Sequence, residues 1–314
     1  MIIGVGLLTA VAYMRSRHHL SSQTNHIFRE ATDAYAARLV DSVEGYGDLM
    51  YATKGLHTTT AITAPVWSDF MRGQYVFERY PGLQVIGYAR LVGPADKASH
   101  TAQIKKESPD LDFTIHPAAS GKQVVLDYID QPDAEAAKRN PARGFDLLSE
   151  PVRKAAIEQA EATGSITATA PISLVGSQNL GFLLVLPLPT NGATTAYSVF
   201  AFDLVTLIEK TLKNPLQQYN ASLTLKDVTG DTSQVLYSSK RSIKGDVVER
   251  STTFQIANRQ WEATFQAPAA ELQMIAGRFA PIGLLAGGIV IMLVVAVGFY
   301  SIDVRKKLRQ APKA

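Results

Sequence analysis

Cysteine is absent from the 314-residue chain. Its absence excludes thiolate zinc sites, iron–sulfur clusters, a thiol nucleophile and a disulfide framework. The central region also lacks any block of lysine and arginine, and the net charge is only +3. This charge distribution argues against nucleic acid as a partner. With 46% hydrophobic residues, the chain is long enough to bury the core of one large domain or two small ones.

Motifs for catalysis and cofactor binding are missing as well. The chain has no nucleophile–base motif, no glycine-rich phosphate loop and no dinucleotide fingerprint. Its six histidines are scattered, and no pair has the spacing of a metal site near a carboxylate. We therefore expect no enzymatic activity, no metal and no cofactor.

Two uncharged runs predict membrane helices. Residues 279–302 carry no charge, and about 20 apolar residues suffice to cross the hydrocarbon core. The tail over 303–314 is basic, which predicts a cytoplasmic C-terminus and an extracytoplasmic central domain. Residues 1–14 are also uncharged and fit either a clipped transmembrane helix or a signal peptide with an Ala-Val-Ala cleavage site at 10–12. The missing positive charge at the start favours the helix.

The spacing of apolar residues predicts a long stalk helix over 16–56. One stripe recurs at steps of three and four, which places its members on one face of a helix. This face packs either on a sheet of the same chain or on a second copy in a dimer, and the sequence leaves both interpretations open. The stripe consists of Tyr35, Leu39, Ser42, Tyr46, Leu49, Thr53 and Leu56.

The rest of the chain predicts an α+β fold with antiparallel sheets. We expect a short helix over 65–79, helices over 94–107 and 151–162, and a helix over 204–212 that ends before Asn214-Pro215. Ser149 is the expected N-cap of the helix that begins at Pro151. Strands are predicted over 83–91, 113–116, 124–129, 179–188 and 197–203, followed by hairpins over 222–237 and 251–265.

Five phrases in a fixed order resemble the CHASE domain family. They are YPGLQVIG at 80–87, GFDLLSEPVR at 144–153, ATG at 162–164, TAPI at 169–172 and GFLLVLPL at 181–188. The close resemblance covers about residues 75–205. CHASE domains are extracytoplasmic sensors of histidine kinases and nucleotide cyclases, and those of plants bind cytokinins, which are adenine derivatives. The resemblance implies a long stalk helix followed by two PAS-like units, with the ligand in the membrane-distal unit.

The resemblance also implies site residues. The aspartate that binds the adenine ring in the plant receptors corresponds to Asp146, and the residue with a ligand-contacting backbone corresponds to Ala168, followed by Thr169. Tyr128 and Phe145 are aromatic residues that can stack on a planar ligand.

Each of these residues also has a structural interpretation. Asp146 can bond to loop or helix amides, the two aromatic residues can be ordinary core, and Thr169 can be a plain strand residue. Arg143 and Arg153 are expected to be solvated or ion-paired rather than bound to an anion.

We therefore expect a membrane-anchored sensor of a small ligand, adenine-like or cytokinin-like. It would lie in the inner membrane with a periplasmic central domain, form a homodimer through its stalk and membrane helices, and signal to a cytoplasmic kinase or cyclase module absent from this chain. The alternative is a non-sensing accessory or structural membrane subunit of a larger complex. The expected segments are a membrane helix at 1–14, the stalk and connecting helices at 15–79, a distal PAS-like unit at 80–203, a proximal PAS-like unit at 204–268, a helix at 269–302 that contains the second span, and the tail at 303–314.

Overall fold

The structure is a computed structural model that describes residues 2–80, 82–176, 179–239 and 241–277. The predicted span over 279–302 and the basic tail over 303–314 lie outside the described residues. Within the described part of the chain, no helix combines the length and the hydropathy that crossing a bilayer requires. Residues 31–243 and 249–266 form the larger of two compact units, and the candidate site lies within it.

The predicted long helix is confirmed as α1, Ile2–Thr59. Its apolar stripe packs on the chain's own sheets, since the ring of Tyr46 lies 4.6 Å from that of Phe202 and the ring of Tyr35 lies 6.0 Å from that of Phe265. Ser42 and Leu56 are half-buried, and the other members of the stripe are buried. The buried stripe is therefore core, which leaves it unavailable as a dimer seam.

The described elements confirm a mixed architecture of one long helix and two antiparallel sheets. The other helices are α2 (Ala64–Gly73), α3 (Val76–Arg79), α4 (Lys97–Glu107), α5 (Ala134–Lys138), α6 (Pro151–Thr163), α7 (Leu204–Gln218) and α8 (Ala269–Gly277), and a 3₁₀ helix spans Leu147–Ser149. The strands are β1 (Leu83–Val92), β2 (Gln123–Asp130), β3 (Thr167–Ala168), β4 (Ile172–Ser173), β5 (Leu180–Thr190), β6 (Ala193–Asp203), β7 (Ser222–Asp227), β8 (Gln234–Ser238), β9 (Val247–Ile256) and β10 (Arg259–Pro268).

The first sheet has six strands in the order β2-β1-β6-β5-β3, with β4 also paired to β5. Strands β5 and β6 are almost continuously buried, as expected for a sheet that is covered on both faces. Side chains alternate between the faces of a strand, so Phe200 and Phe202 point toward α1 while Val199 and Ala201 point away from it. At the end of β6, the α1 face therefore carries two phenylalanines, while Val199 and Ala201 on the opposite face are smaller and Tyr197 on that face lies further along the strand.

The second sheet has four strands in the order β8-β7-β10-β9. It follows α7, whose N-terminus is capped by Asp203 at the end of β6. The ring of Trp261 on β10 lies 5.2 Å from that of Phe182 on β5, edge to face, which joins the cores of the two sheets. In the smaller compact unit, the Ala269 N–H at the start of α8 donates to the Asp246 carbonyl at 2.9 Å.

Two predicted helix ends are wrong. The N-cap of α6 is Glu150 rather than Ser149, because the Glu150 carboxylate accepts from the Val152 and Arg153 N–H groups, whereas the Ser149 hydroxyl donates to the Asp146 carbonyl. Helix α7 continues past Pro215 to Gln218. Its apolar face is buried along its whole length, and this packing outweighs the hydrogen bond that a proline removes.

Two predictions within residues 80–203 also need correction. Residues 113–116 form no strand, and their pairing is limited to a single bridge between His116 and Phe145. The polar loop predicted over 131–143 contains the short helix α5, which Asp133 caps by accepting from the Glu135 and Ala136 N–H groups.

Candidate functional site

The phrase that carries the strongest resemblance, residues 144–153, begins along the outer edge of β2. The Gly144 N–H donates to the Leu126 carbonyl at 2.7 Å, and the Leu126 N–H donates to the Phe145 carbonyl at 3.1 Å. On the other side, the Asp146 N–H donates to the His116 carbonyl at 2.7 Å. These bonds hold Phe145 and Asp146 in an extended conformation after the turn at Gly144, so that the side chains of Phe145 and Asp146 point in different directions.

Asp146 is 2% exposed. Both oxygens of its carboxylate accept hydrogen bonds from neighbouring residues. Oδ1 accepts from the Val124 and Leu148 N–H groups, both at 3.0 Å, and Oδ2 accepts from Gln123 Nε2 at 3.1 Å. The residue therefore caps the 3₁₀ helix and ties it to β2. This contact set matches the structural interpretation of Asp146.

One cavity, which we call the sheet cavity, lies on the face of the six-stranded sheet opposite α1 and measures about 510 Å³. Its floor is apolar and comes from β1, β2, β5 and β6. Its walls come from the 144–153 phrase, the loop after β2 and the residues around β4. The floor consists of Val85, Leu126, Leu183, Val199 and Ala201, and the walls include Gln131, Asn140, Phe145, Leu147, Arg153, Leu174, Asn179 and Asp203.

Arg153 is the cationic side chain among the described residues that line the sheet cavity, and it is 6% exposed. Its guanidinium donates to the Glu150 carboxylate at 3.2 Å and to the Ser173 carbonyl at 2.9 Å, and it lies over the Phe145 ring at 5.5 Å. Burial lowers the pKa of Arg153, and the charge of Glu150 acts in the opposite direction. Arg153 is therefore ion-paired, as expected from the sequence, and its guanidinium is buried at the edge of the sheet cavity.

The predicted site residues do not meet in one place. Phe145 lines the sheet cavity, whereas Asp146 lines a smaller cavity of about 330 Å³ beside α6. Ala168 and Thr169 are buried at the edge of the sheet, where the Ala168 N–H donates to Asn258 Oδ1 at 2.7 Å and the Thr169 hydroxyl accepts from the Leu183 N–H at 3.0 Å.

Tyr128 lies on the α1 face of the sheet, away from both cavities. Its ring stacks on Tyr88 at 5.7 Å, and the Arg90 guanidinium lies over it at 5.2 Å. Burial raises the pKa of Tyr128, and its hydrogen bond to Glu107 raises that pKa further. Asp127 beside it is fully buried and pairs with both Arg90 and His100. These residues form a polar cluster between the sheet, α1 and α4.

The polar cluster reaches α1 through His57. Its Nδ1 lies 3.0 Å from the Tyr88 hydroxyl, and its Nε2 lies 2.9 Å from Thr190 Oγ1. Burial lowers the pKa of His57 from its ordinary value of 6.5. The folded protein therefore binds the His57 proton less readily than the unfolded chain does.

We expect this difference to make stability depend on pH. As the pH falls below about 6.5, the unfolded chain takes up the proton first, so the free energy of unfolding decreases, and the contribution of neutral His57 is fully present only above that value. Thermal melts of the wild type and of His57→Gln between pH 5 and 8 measure the effect. The wild type should lose more stability on acidification than His57→Gln, and His26→Gln, which changes an exposed histidine, should behave like the wild type. Parallel pH curves for wild type and His57→Gln contradict the prediction.

Sequence reasoning did not identify most residues of the sheet cavity. These residues belong to separate elements of the chain, and the pairing of the strands brings them together. They include Asn179, Leu183, Val199, Ala201 and Asp203. One signal was present along β6, where Phe200 and Phe202 alternate with the smaller Val199 and Ala201. Small side chains on one face of a buried strand leave room for a ligand on that face.

Within the described residues, no group of three or more histidine, cysteine, aspartate or glutamate side chains is arranged to hold a metal ion. The polar side chains around the sheet cavity carry amides, carboxylates, the Thr206 hydroxyl and one guanidinium. This combination suits hydrogen bonding to an organic ligand.

Comparisons with solved structures return bacterial sensory domains. The chain is similar to the periplasmic sensory domain of the Campylobacter jejuni chemoreceptor Tlp1, with 12% identity, 81% of this chain and 95% of that chain covered, and a TM-score of 0.46. It is also similar to the ligand-binding domain of the Pseudomonas aeruginosa PAO1 chemoreceptor PctC in complex with GABA, with 14% identity, coverage of 76% and 97%, and a TM-score of 0.44. No curated protein matches the sequence.

The CHASE domain family matches residues 60–237, which is more than half of the chain. The match includes the phrase at 144–153 and the residues that line the sheet cavity, and it confirms the resemblance drawn from the five phrases. CHASE domains are extracytoplasmic sensor domains of signal-transducing receptors. The chain belongs to the CHASE domain family.

Proposed function

We propose that this protein is a membrane-anchored sensor whose small-molecule ligand binds in the sheet cavity of the distal unit. The cavity itself is the observation that carries the proposal. It has an apolar floor formed by four strands, a polar rim and an aromatic wall at Phe145, which is the usual composition of a small-ligand site. An occupant would touch both the sheet and the N-terminal turn of α6.

Contacts between the distal and proximal units support transmission of a signal. Asn258, in the turn between β9 and β10, accepts from the Ala168 N–H and donates to Gln159 on α6 at 2.8 Å. Helix α6 also carries Arg153 at the cavity. A ligand that shifts α6 would therefore act on the proximal sheet, provided that it binds two arrangements of the domain with different affinity.

The membrane arrangement belongs to the same proposal. The uncharged residues 1–14 and 279–302 would be its two membrane helices, and the basic residues 303–314 would be cytoplasmic. We propose the same six segments, from the membrane helix at 1–14 to the tail at 303–314, with the boundaries expected from the sequence. A kinase or cyclase module in the cytoplasm would supply the output. A homodimer would form through the membrane helices and through the exposed side of α1, because the apolar stripe is buried.

An adenine-like ligand, which the family resemblance implies, would meet Asp146 in the smaller cavity rather than in the sheet cavity. Tyr197 also lines the smaller cavity and is 1% exposed, so an occupant there would meet an aromatic ring as well as the Asp146 carboxylate. Asp146 already accepts three hydrogen bonds, so it would have to offer its remaining lone pair on Oδ2.

Thermal-shift measurements on the purified full chain test the proposal. The ligands would be adenine-type compounds and other small planar metabolites. The variants would be Phe145→Ala and Asp146→Asn, and each protein would be compared with its own ligand-free melt. A ligand at 100 times its Kd stabilises the folded state by about 2.7 kcal/mol. A saturable shift that Phe145→Ala loses and Asp146→Asn keeps supports the sheet cavity, and the reverse pattern supports the smaller cavity. Absence of a shift with every compound favours the accessory-subunit alternative.

A further inference from the structure

The buried guanidinium of Arg153 is only partly satisfied by the protein. It has five N–H donors, and among the described residues two acceptors are in contact with it, Glu150 Oε2 and the Ser173 carbonyl. The rest of the group lies against the Phe145 ring and the sheet cavity. An arginine that is 6% exposed has lost most of its hydration, so further acceptors at this position would stabilise it.

The carboxylate of Glu150 neutralises Arg153 incompletely. Glu150 is the N-cap of α6, and its two oxygens also accept from the Val152 N–H at 3.1 Å and the Arg153 N–H at 3.0 Å. Its side chain is 32% exposed, so water screens its charge more than it screens the guanidinium. The contact between the two side chains is a single hydrogen bond, which leaves the bidentate geometry of an arginine–carboxylate pair unused.

The two carboxylates that line the same cavity are committed to other donors. Asp133 caps α5, and Asp203 accepts from the Thr206 N–H at 2.7 Å and from the Asn179 side chain. Their charges are directed at helix N-termini, where a negative charge is favoured. They would still repel a second negative charge in the cavity, which disfavours phosphate groups and dicarboxylates.

We propose that the sheet cavity binds a small organic monocarboxylate, with its carboxylate on the Arg153 guanidinium and its apolar body on the Phe145 ring and the strand floor. This inference rests on the proposed function and names the ligand class of the same site. A planar carboxylate matches the fork of a guanidinium, and the apolar floor gives an aromatic or aliphatic body a place to bury. The ligand carboxylate would offer the guanidinium a bidentate partner that Glu150 does not supply.

Paired probes that differ only in charge test the assignment on the full chain. Isothermal titration calorimetry would compare phenylacetate with phenylacetamide and benzoate with benzamide, with inorganic phosphate as a further probe. We expect saturable binding of the acids and affinities at least about tenfold weaker for the amides, since a hydrogen bond to a charged group contributes more than one between neutral groups. Phosphate should not compete with the acids.

Variants then locate the anion. Arg153→Gln should weaken binding of the acids by about tenfold or more, and Arg153→Lys, which keeps the charge but loses the fork, should weaken it less. Lys154→Gln is the matched control, because it removes the neighbouring positive charge from a side chain that is 52% exposed and lies outside the sheet cavity. It should bind the acids like the wild type.

Three results would overturn the assignment. They are equal binding of acid and amide by the wild type, unchanged acid binding in Arg153→Gln, and no saturable binding of either acid up to millimolar concentrations. The acid–amide comparison needs no variant, so it remains decisive if Arg153→Gln fails to fold. If one of these three results is obtained, and adenine-type or other neutral planar compounds bind in a way that Phe145→Ala abolishes, the monocarboxylate assignment fails while the proposed sensor function stands.

Discussion

Replacing Asp127 by alanine should lower the free energy of unfolding by about 3–5 kcal/mol, because the change leaves a buried arginine without its counter-ion. Asp127 is fully buried, and its two oxygens face Arg90 Nε and His100 Nε2. Arg90 itself is largely buried beneath the rings of Tyr88 and Tyr128, so water cannot readily replace the lost carboxylate. Urea denaturation of the full chain, followed by circular dichroism, measures the change.

Asp69→Ala is the matched control for this prediction. Asp69 pairs with Arg72 on α2, but both side chains are 69% exposed, and such surface pairs contribute about 0–1 kcal/mol. The double variant Asp127→Ala, Arg90→Met should recover part of the loss, since it removes the unpaired charge as well. If Asp127→Ala costs no more than Asp69→Ala, the polar cluster contributes nothing to stability, and the prediction is wrong.

Replacing Gly144 by alanine should lower the free energy of unfolding by about 3 kcal/mol or more. Gly144 has φ of +77°, and a Cβ atom on it would lie 2.1 Å from the Thr114 carbonyl oxygen. The substitution thus combines a left-handed backbone conformation, which costs an L-residue about 1–2 kcal/mol, with a collision against backbone that cannot move independently. Differential scanning calorimetry of wild type and variant would record the loss as a lower Tm.

Gly164→Ala separates the two contributions. Gly164, which ends α6, also has a positive φ, of +67°, but no atom lies within 4 Å of the position of an added Cβ. Its substitution should cost only the conformational term of about 1–2 kcal/mol. Similar losses for Gly144→Ala and Gly164→Ala would show that the segment around Thr114 yields easily, against our expectation. Because Gly144 precedes Phe145, its variant should also weaken ligand binding in the sheet cavity.

The elements with a strong periodic or apolar signal were predictable from the sequence. The stripe on α1 and the long apolar runs of β5 and β6 depend on burial that recurs at a fixed spacing, and the sequence records that spacing directly. The end of α7 was not predictable in this way, because Pro215 is a local signal for a break while the buried apolar face of the helix is a tertiary effect. Ser149 and Glu150 are both capable caps, and only the geometry of the preceding 3₁₀ helix selects Glu150.

For the candidate site, the 144–153 segment singled out from the sequence forms a wall of the sheet cavity, but of the five predicted residues only Phe145 lines that cavity. Tyr128 illustrates the reason. Strict alternation would place Leu126 and Tyr128 on the same face of β2, yet a bulge pairs Leu126 with Ala89 and Tyr128 with Tyr88. The extra residue, Asp127, reverses the faces beyond it, so Leu126 joins the cavity floor while Tyr128 faces α1. Such a bulge depends on the partner strand and leaves no reliable trace in one sequence.

The hydrogen bond from the Ala168 N–H to Asn258 has a consequence for solubility. Strand β3 is two residues long and forms an outer edge of the six-stranded sheet, and an open edge offers unpaired backbone donors to the strands of other molecules. The side chain of Asn258, held by its second bond to Gln159, occupies the outward donor of this edge with an amide that cannot continue the ladder. The turn between β9 and β10 thereby protects the β3 edge of the six-stranded sheet from edge-to-edge pairing with other molecules.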